Sequence, residues 1–432
     1  MPVSSRKYLA MLMVMAMRAS VMGAKFTLAL FIARYFDLAS LGLYGLAAGA
    51  IAIVPIVVNV GMNHQLMRNA VTASAAELTD NMRHYWCFVV SVYIVLLTLA
   101  ALLTGVLGTS VLWILIVAVI LFEHVGNDIF YLFSSLEQHL SANVIAFIRG
   151  AAWIPMYIPL GIWDPHFRTL AHLFGFWLLG SVISVVVFIW LSRSWPWRRS
   201  FSLPFRLSLI ISTMRTSVLF LVSDLGFVGS QYVDRYLVTF FLGIEVAGIY
   251  LLFWTVANAA TTFLGLVLQQ KQRPLLISAY RNGGMSAHRQ LAWRFMQTTT
   301  LATAALSVAI GFAFQLLSPW LGQPSLRAHW SAFWLIVAGL AFRYLADFGG
   351  LGLFTAHRDR LTTLTNVASV FVLVVAQTSL LPLAELHGAG GAILLTFVGI
   401  ALWRYWLLFG FSVTPPETRR VVAYSEHRIV QQ

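Results

Sequence analysis

Runs of roughly twenty or more apolar residues alternate with short polar breaks along most of this chain. About twelve such runs fall near 8–34, 41–67, 85–107, 110–132, 141–162, 169–191, 211–241, 246–270, 295–317, 329–354, 361–383 and 389–411. A bilayer core about 30 Å thick is crossed by a helix of roughly 20 residues. Backbone groups in lipid find no water, so each run is predicted to be a helix. None alternates with the period of two that a barrel strand requires. The predicted fold class is an all-α polytopic membrane protein with about twelve transmembrane helices.

Composition agrees with the pattern. Mean hydropathy is +0.82 and only 10% of residues are charged, against about 25% in soluble domains. The longest polar stretches are 271–294 and the tail after Ser412, too short for an appended enzyme module. The net charge of +13 does not point to nucleic acid, because the basic residues cluster at the ends of apolar runs rather than on one soluble face. The single cysteine, Cys87, excludes a disulfide framework and is expected to be a small buried apolar residue. Arg6-Lys7 before an apolar run imitates a signal peptide. However, the run continues past Arg18 and Lys25 to Arg34 with no small-residue cleavage site, so a retained first helix is expected.

Cytoplasmic loops carry an excess of Lys and Arg. One alternate set of breaks holds Arg6, Lys7, Arg68, Arg83, the cluster Arg193 to Arg206, Lys271 to Arg294, Arg358, Arg360 and the tail arginines. The other holds only Arg34, Arg168 and Arg327, with Asp37, Asp164, Glu245 and Glu385. Both termini are therefore expected on the cytoplasmic side. Trp163, Trp195, Trp197, Trp320 and Trp330 lie near run ends, as interfacial aromatics should.

The two halves repeat. At an offset of 206 residues Gly23 matches Gly229, Gly42 matches Gly248 and Tyr44 matches Tyr250. A weaker match at 223 pairs Gly126 with Gly349 and Asn143 with Asn366. Six plus six spans make the repeat parallel, with its pseudo-twofold axis along the membrane normal, an architecture suited to alternating access. The expected division is a six-helix bundle over 1–192, a cytoplasmic linker over 193–206, a second bundle over 207–412 and a cytoplasmic tail over 413–432.

Charges at membrane depth cost at least about 2.5–3.5 kcal/mol each on insertion scales and mark cavities or partners. Arg18 and Lys25 are seven residues apart and share one face of the first helix. Their predicted role is to line a cavity and face an anionic head group. In the seventh helix Asp224, Gln231 and Arg235 share a face while Asp234 points elsewhere, and Arg149 lies within the fifth. Glu123, Asn127 and Tyr131 follow a similar spacing in the fourth, with His124 and Asp128 one step round. Arg343 and Asp347 have the spacing of a structural pair along one helix. Asp234 and Arg235 admit a plain helix-packing role. Asp224 and Asp234 are the candidate coupling acids. The histidines show no ligand spacing, so neither a metal nor another cofactor is expected.

No GxxxxGK[ST] loop, GxSxG elbow or HExxH helix is present. The glycine-rich run from Gly349 lies in a membrane helix, where glycines allow close packing. External breaks are short, the largest about 318–328, which argues against an enzyme.

Two segments resemble a known family. One carries Asp234-Arg235, Leu242-Gly243, Gly248-x-Tyr250 and then Pro274. The other carries Ala33-Arg34, Gly42-x-Tyr44, Gly61 and Arg68. Both look like the polysaccharide and O-antigen flippases of the multidrug/oligosaccharidyl-lipid/polysaccharide exporter superfamily. The resemblance implies two six-helix bundles around a central cavity in a bacterial inner membrane. It implies a lipid-linked oligosaccharide cargo, usually on undecaprenyl diphosphate, moved from the cytoplasmic to the periplasmic leaflet for surface polysaccharide biosynthesis. Association with polysaccharide polymerase machinery is a further implied partnership. The peptidoglycan-precursor branch usually has two more helices, for which this chain has no room. Glu123 and Asp128 match no family motif position. On this reading Arg18 and Lys25, with Arg149 and Arg235, are the expected cavity cations that compensate the diphosphate. The rival readings are a drug or cation antiporter of the same superfamily, which should have an acidic cavity, a membrane-embedded polymerase or ligase, and a non-transporting scaffold.

Overall fold

The computed structural model describes residues 5–104 and 110–410. In the first half α1 is Ser5–Tyr35, α2 Leu38–Asn59, α3 Met62–Ala70, α4 Ala75–Thr104, α5 Val111–Ser135, α6 His139–Phe147, α7 Ile154–Trp163 and α8 Leu170–Leu191. After the short α9 (Trp197–Ser202) come α10 Leu207–Leu242, α11 Ile244–Leu264, α12 Gln270–Leu317, α13 Ser325–Ala328, α14 Trp330–Thr355 and α15 Asp359–Tyr405. No strand occurs among the described residues.

Among the described residues ten apolar helical rods are long enough to span a bilayer. Two of them fold back on themselves, which makes twelve crossings in two halves of six. α12 bends at Gly284, where φ is 64°, a left-handed value that glycine takes without steric cost. α15 bends at Ala384 and Glu385, the latter at φ 48°. The return there is so tight that a Cβ on Gly388 would stand 2.1 Å from the Leu380 carbonyl oxygen. The polar stretch 271–294, expected as a loop, is therefore helical on both sides of a bend.

Two other expected helices are interrupted. The run 41–67 breaks at Val60 (φ 52°) and Gly61 (φ 74°), and the side chain of Asn59 accepts a 2.7 Å bond from the Gly61 N–H. A Cβ at Gly61 would lie 2.6 Å from the Ser217 carbonyl oxygen, so glycine is what lets α10 approach. The run 141–162 contains a widened π turn over Ile148–Ala152. Pro155 follows it, and a proline cannot donate the next helical hydrogen bond.

The halves meet mainly through α2 against α11 and α10, with α1 against α11. A continuous core joins them at the end away from the arginine clusters, with Leu41 and Tyr44 of α2 beside Tyr250 and Leu251 of α11. At that end Arg34 donates to the Trp320 carbonyl oxygen and lies 5.1 Å over its ring. Gln323 donates to the Ala33 carbonyl oxygen at 3.1 Å. Near the opposite, basic end, the expected linker segment is held to α4. Arg83 donates to the Leu203 carbonyl oxygen at 2.7 Å, and Arg206 bonds Asp80. The expected tail, 413–432, lies outside the described residues. Cys87 is exposed on the surface of α4, contrary to the expected burial. In lipid an outward position suits a small apolar side chain as well as an inward one.

Candidate functional site: a cavity between the halves

A cavity of about 1080 Å³ lies between the halves, walled by α1, α2, α5, α10 and α11. It reaches from Tyr44 and Trp177, beside the sealed core, to His64, Met67 and Ser135 at the basic end.

Arg18 and Lys25 both line it, on one face of α1. Arg18 Nε donates to Asn143 Oδ1 at 2.8 Å. The Asn143 amide nitrogen bonds the His139 carbonyl oxygen at 2.7 Å, which turns its oxygen toward the guanidinium. Among the described residues neither cation has a carboxylate in ion-pair contact.

Arg149 lies in the π turn and also lines the cavity, but it carries its own counter-charge. Its Nη1 is 2.6 Å from Glu123 Oε2 and 3.0 Å from the Glu123 carbonyl oxygen, and its Nη2 donates to Asn127 at 3.2 Å. Trp177 and Ser181 donate to the other Glu123 oxygen at 3.0 and 2.9 Å. Both carboxylate oxygens are engaged, and Glu123 acts on Lys25 through space without an ion-pair contact. The pair forms because α5 has glycine at 126, where a Cβ would meet Arg149 Cδ at 2.8 Å.

Arg235 is held by rings. Its guanidinium carbon is 4.6 Å from the Tyr232 centroid and 4.4 Å from that of Trp254, and its Nε has no hydrogen-bond partner. Each ring contributes about 0.5–2 kcal/mol of cation–π attraction without neutralising the charge. Asp234 points away from the cavity and is 2% exposed. It accepts from the Tyr250 hydroxyl and from the Arg235 N–H. Asp224 lines the cavity, with its Oδ2 2.7 Å from His64 Nε2 across the boundary between halves.

Both acids on this wall are thus engaged, Glu123 by Arg149 and Asp224 by His64, while among the described residues the side chains of Arg18, Lys25 and Arg235 have no carboxylate in ion-pair contact. Charges are poorly screened in low-dielectric surroundings, and the cavity favours an anion.

Asp224, Phe227, Gln231, Asn258 and Thr262 also wall a second space of about 780 Å³ inside the second half. There the expected Arg343–Asp347 pair does not form. Asp347 stands 3.7 Å from Arg404 of α15, and Arg343 lies 5.2 Å over the Phe397 ring. Arg404 is fixed by the Ala346 carbonyl oxygen at 2.9 Å, Thr365 at 3.0 Å and Asn366 at 2.5 Å. It enters because α14 has glycines at 349 and 350, whose Cβ atoms would stand 2.9 and 3.0 Å from it.

Solved structures share this architecture. An inward-facing multidrug resistance MATE family transporter of the MOP superfamily superposes with a TM-score of 0.68 at 13% identity, over 92% of this chain and 96% of its own. The chain has the fold of the MATE transporters. An outward-facing MATE transporter superposes less well, with a TM-score of 0.60 at 13% identity, over 94% of this chain and 96% of its own. A MOP superfamily transporter from Pyrococcus furiosus, described as having a binding pocket of reverse polarity that suggests a different function, gives 0.57 at 13% identity, over 94% of this chain and 96% of its own. At the level of sequence, no family model matches the chain, and no curated protein does either.

Within the MATE-like fold, helical spacing located the wall. Asp224, Gln231 and Arg235 line the cavity together, as do Glu123, Asn127 and Tyr131. It did not locate the partners Glu123, Trp254, His64 and Arg404. The one available signal was the Gly126–Gly349 match, since each glycine admits a buried arginine from a neighbouring helix.

Proposed function

We propose that this protein is an alternating-access flippase that carries a polyprenyl-diphosphate-linked oligosaccharide from the cytoplasmic to the periplasmic leaflet of a bacterial inner membrane. The observation that carries the reading is the pair Arg18 and Lys25, which face the cavity with no carboxylate in contact. Both side chains are exposed to the cavity and among the described residues make no ion pair, and a diphosphate supplies an anion in a form Arg binds well. Arg235 adds a third charge held in a fixed direction, while Arg149 is largely spent on Glu123. The basic end faces the cytoplasm, and the cavity is open to the leaflet where the cargo is made.

A drug or cation antiporter fits the structural neighbours equally well. The cavity's methionine and aromatic lining, including Met17, Met22 and Phe26, would serve a lipophilic cation. The charge balance separates the two readings, because such a cation would meet Arg18, Lys25 and Arg235 and find both acids paired. A polymerase or ligase has less support, since the solved neighbours are transporters.

Titration calorimetry on the purified protein with a short-chain prenyl diphosphate tests the reading. Binding that weakens at least ten-fold in Arg18→Gln/Lys25→Gln supports it. Binding of a lipophilic cation in preference to the diphosphate contradicts it.

A further inference from the structure

The space inside the second half has no task in the account above, and its wall has an unusual balance. Two acids border it, and both are engaged elsewhere. Asp224 is 2.7 Å from His64, and Asp347 is turned toward Arg404. Arg343, only 8% exposed, is left over the Phe397 ring with no carboxylate in ion-pair contact among the described residues. Beside it Tyr344 is 4% exposed, and its hydroxyl has no hydrogen-bond partner among the described residues. A buried hydroxyl without a partner costs about 1–3 kcal/mol, and Arg343 meets Asp347 and Asp234 only through space, with no ion-pair contact among the described residues. Both groups border the same space, together with the amides of Gln231, Asn258 and Asn366.

Amides and hydroxyls exchange hydrogen bonds with sugar hydroxyls as both donors and acceptors. An Arg fork beside a hydroxyl donor recognises a planar carboxylate. The space adjoins the diphosphate cavity through Asp224, Gln231 and Asn258, so one cargo molecule can fill both. We infer that the second-half cavity binds the glycan of the cargo and selects one that bears an acidic sugar, whose carboxylate Arg343 and Tyr344 hold. This inference rests on the flippase reading and names the class of glycan that reading leaves open.

Affinities of the purified full chain for three soluble probes test it: a trisaccharide with one glucuronate, its methyl ester, and the same trisaccharide with a phosphate monoester in place of the carboxylate. The expected result is at least ten-fold tighter binding of the glucuronate than of the ester. Arg343→Gln should abolish that preference and leave ester binding unchanged, and Tyr344→Phe should reduce it about three-fold. If Arg343→Gln also loses the ester, Arg343→Lys decides, because it keeps the charge and loses the fork, and a partly reduced preference upholds the inference. Equal affinity for acid and ester, or a preference that survives these substitutions intact, overturns it. Tighter binding of the phosphate ester overturns the carboxylate assignment in favour of a phosphorylated sugar. Prenyl diphosphate binding is the separate control. It should survive Arg343→Gln and fall in Arg18→Gln/Lys25→Gln, so this inference and the flippase reading fail independently.

Discussion

Gly42 and Gly248 pack against each other across the boundary between the two halves. A Cβ on Gly42 would stand 3.2 Å from the Gly248 backbone nitrogen and 2.3 Å from the Ile244 carbonyl oxygen, and one on Gly248 would stand 1.9 Å from the Leu38 carbonyl oxygen. The two occupy matching places in the sequence repeat. Each half therefore presents the same smooth patch to the other, and backbone meets backbone where the far end of the cavity is sealed. Any side chain at either position must push the halves apart there.

Gly248→Val should consequently favour a state open at the far end. Overpacking costs about 1–3 kcal/mol, enough to move a two-state population by about five-fold to more than a hundred-fold. Spin labels at Trp163 and Leu383, both highly exposed near that end, would report it in a Cys87→Ser background. A longer distance distribution in Gly248→Val than in the parent is expected, and an unchanged one would remove the seal from the account.

The Glu123–Arg149 pair predicts a particular pattern of stability. Removing one partner of a buried ion pair costs about 3–5 kcal/mol, because the other charge is left without compensation. Glu123→Gln should therefore lower the melting temperature markedly, the more so because Trp177 and Ser181 also bond that carboxylate. Adding Arg149→Met should recover at least half of the loss. Strictly additive losses in the double variant would mean that the pair is not coupled.

The ring clamp on Arg235 predicts graded effects. Trp254→Ala removes one of the two faces that hold the guanidinium, and Trp254→Phe keeps a weaker one. Affinity for a short-chain prenyl diphosphate should fall in the order wild type, Phe, Ala, by about two- to thirty-fold overall, the range that one cation–π contact supports. Equal affinities across the three would show that the orientation of Arg235 does not matter to the ligand.

The membrane architecture was legible because lipid leaves the backbone a single spanning option for a chain of this pattern. Run length then located the helices. The face of each charge was legible for the same reason, since 3.6 residues per turn fixes which side chains point together. The tertiary partners were not. Arg343 and Asp347 have ideal spacing for a pair, yet Arg404 arrives from another helix and takes Asp347. Glu123 is 26 residues from Arg149 in sequence, and no local rule joins them. The bend at Gly61 interrupts a helix inside an apolar run, so hydropathy alone could not place it, whereas those at Gly284 and Glu385 fall in the breaks 271–294 and 384–388 that the runs left. Cys87 was misjudged because burial rules from water invert when the surroundings are hydrocarbon.

The central claim is that Arg18 and Lys25 hold the negative charge of a cargo in transit. Its most direct test is the rate at which protein reconstituted in vesicles moves a fluorescent prenyl-diphosphate oligosaccharide between leaflets, compared with the Arg18→Gln/Lys25→Gln double variant at equal protein incorporation. The parent should move the lipid, and the variant should do so at least ten-fold more slowly. An unchanged rate in the variant would contradict the claim.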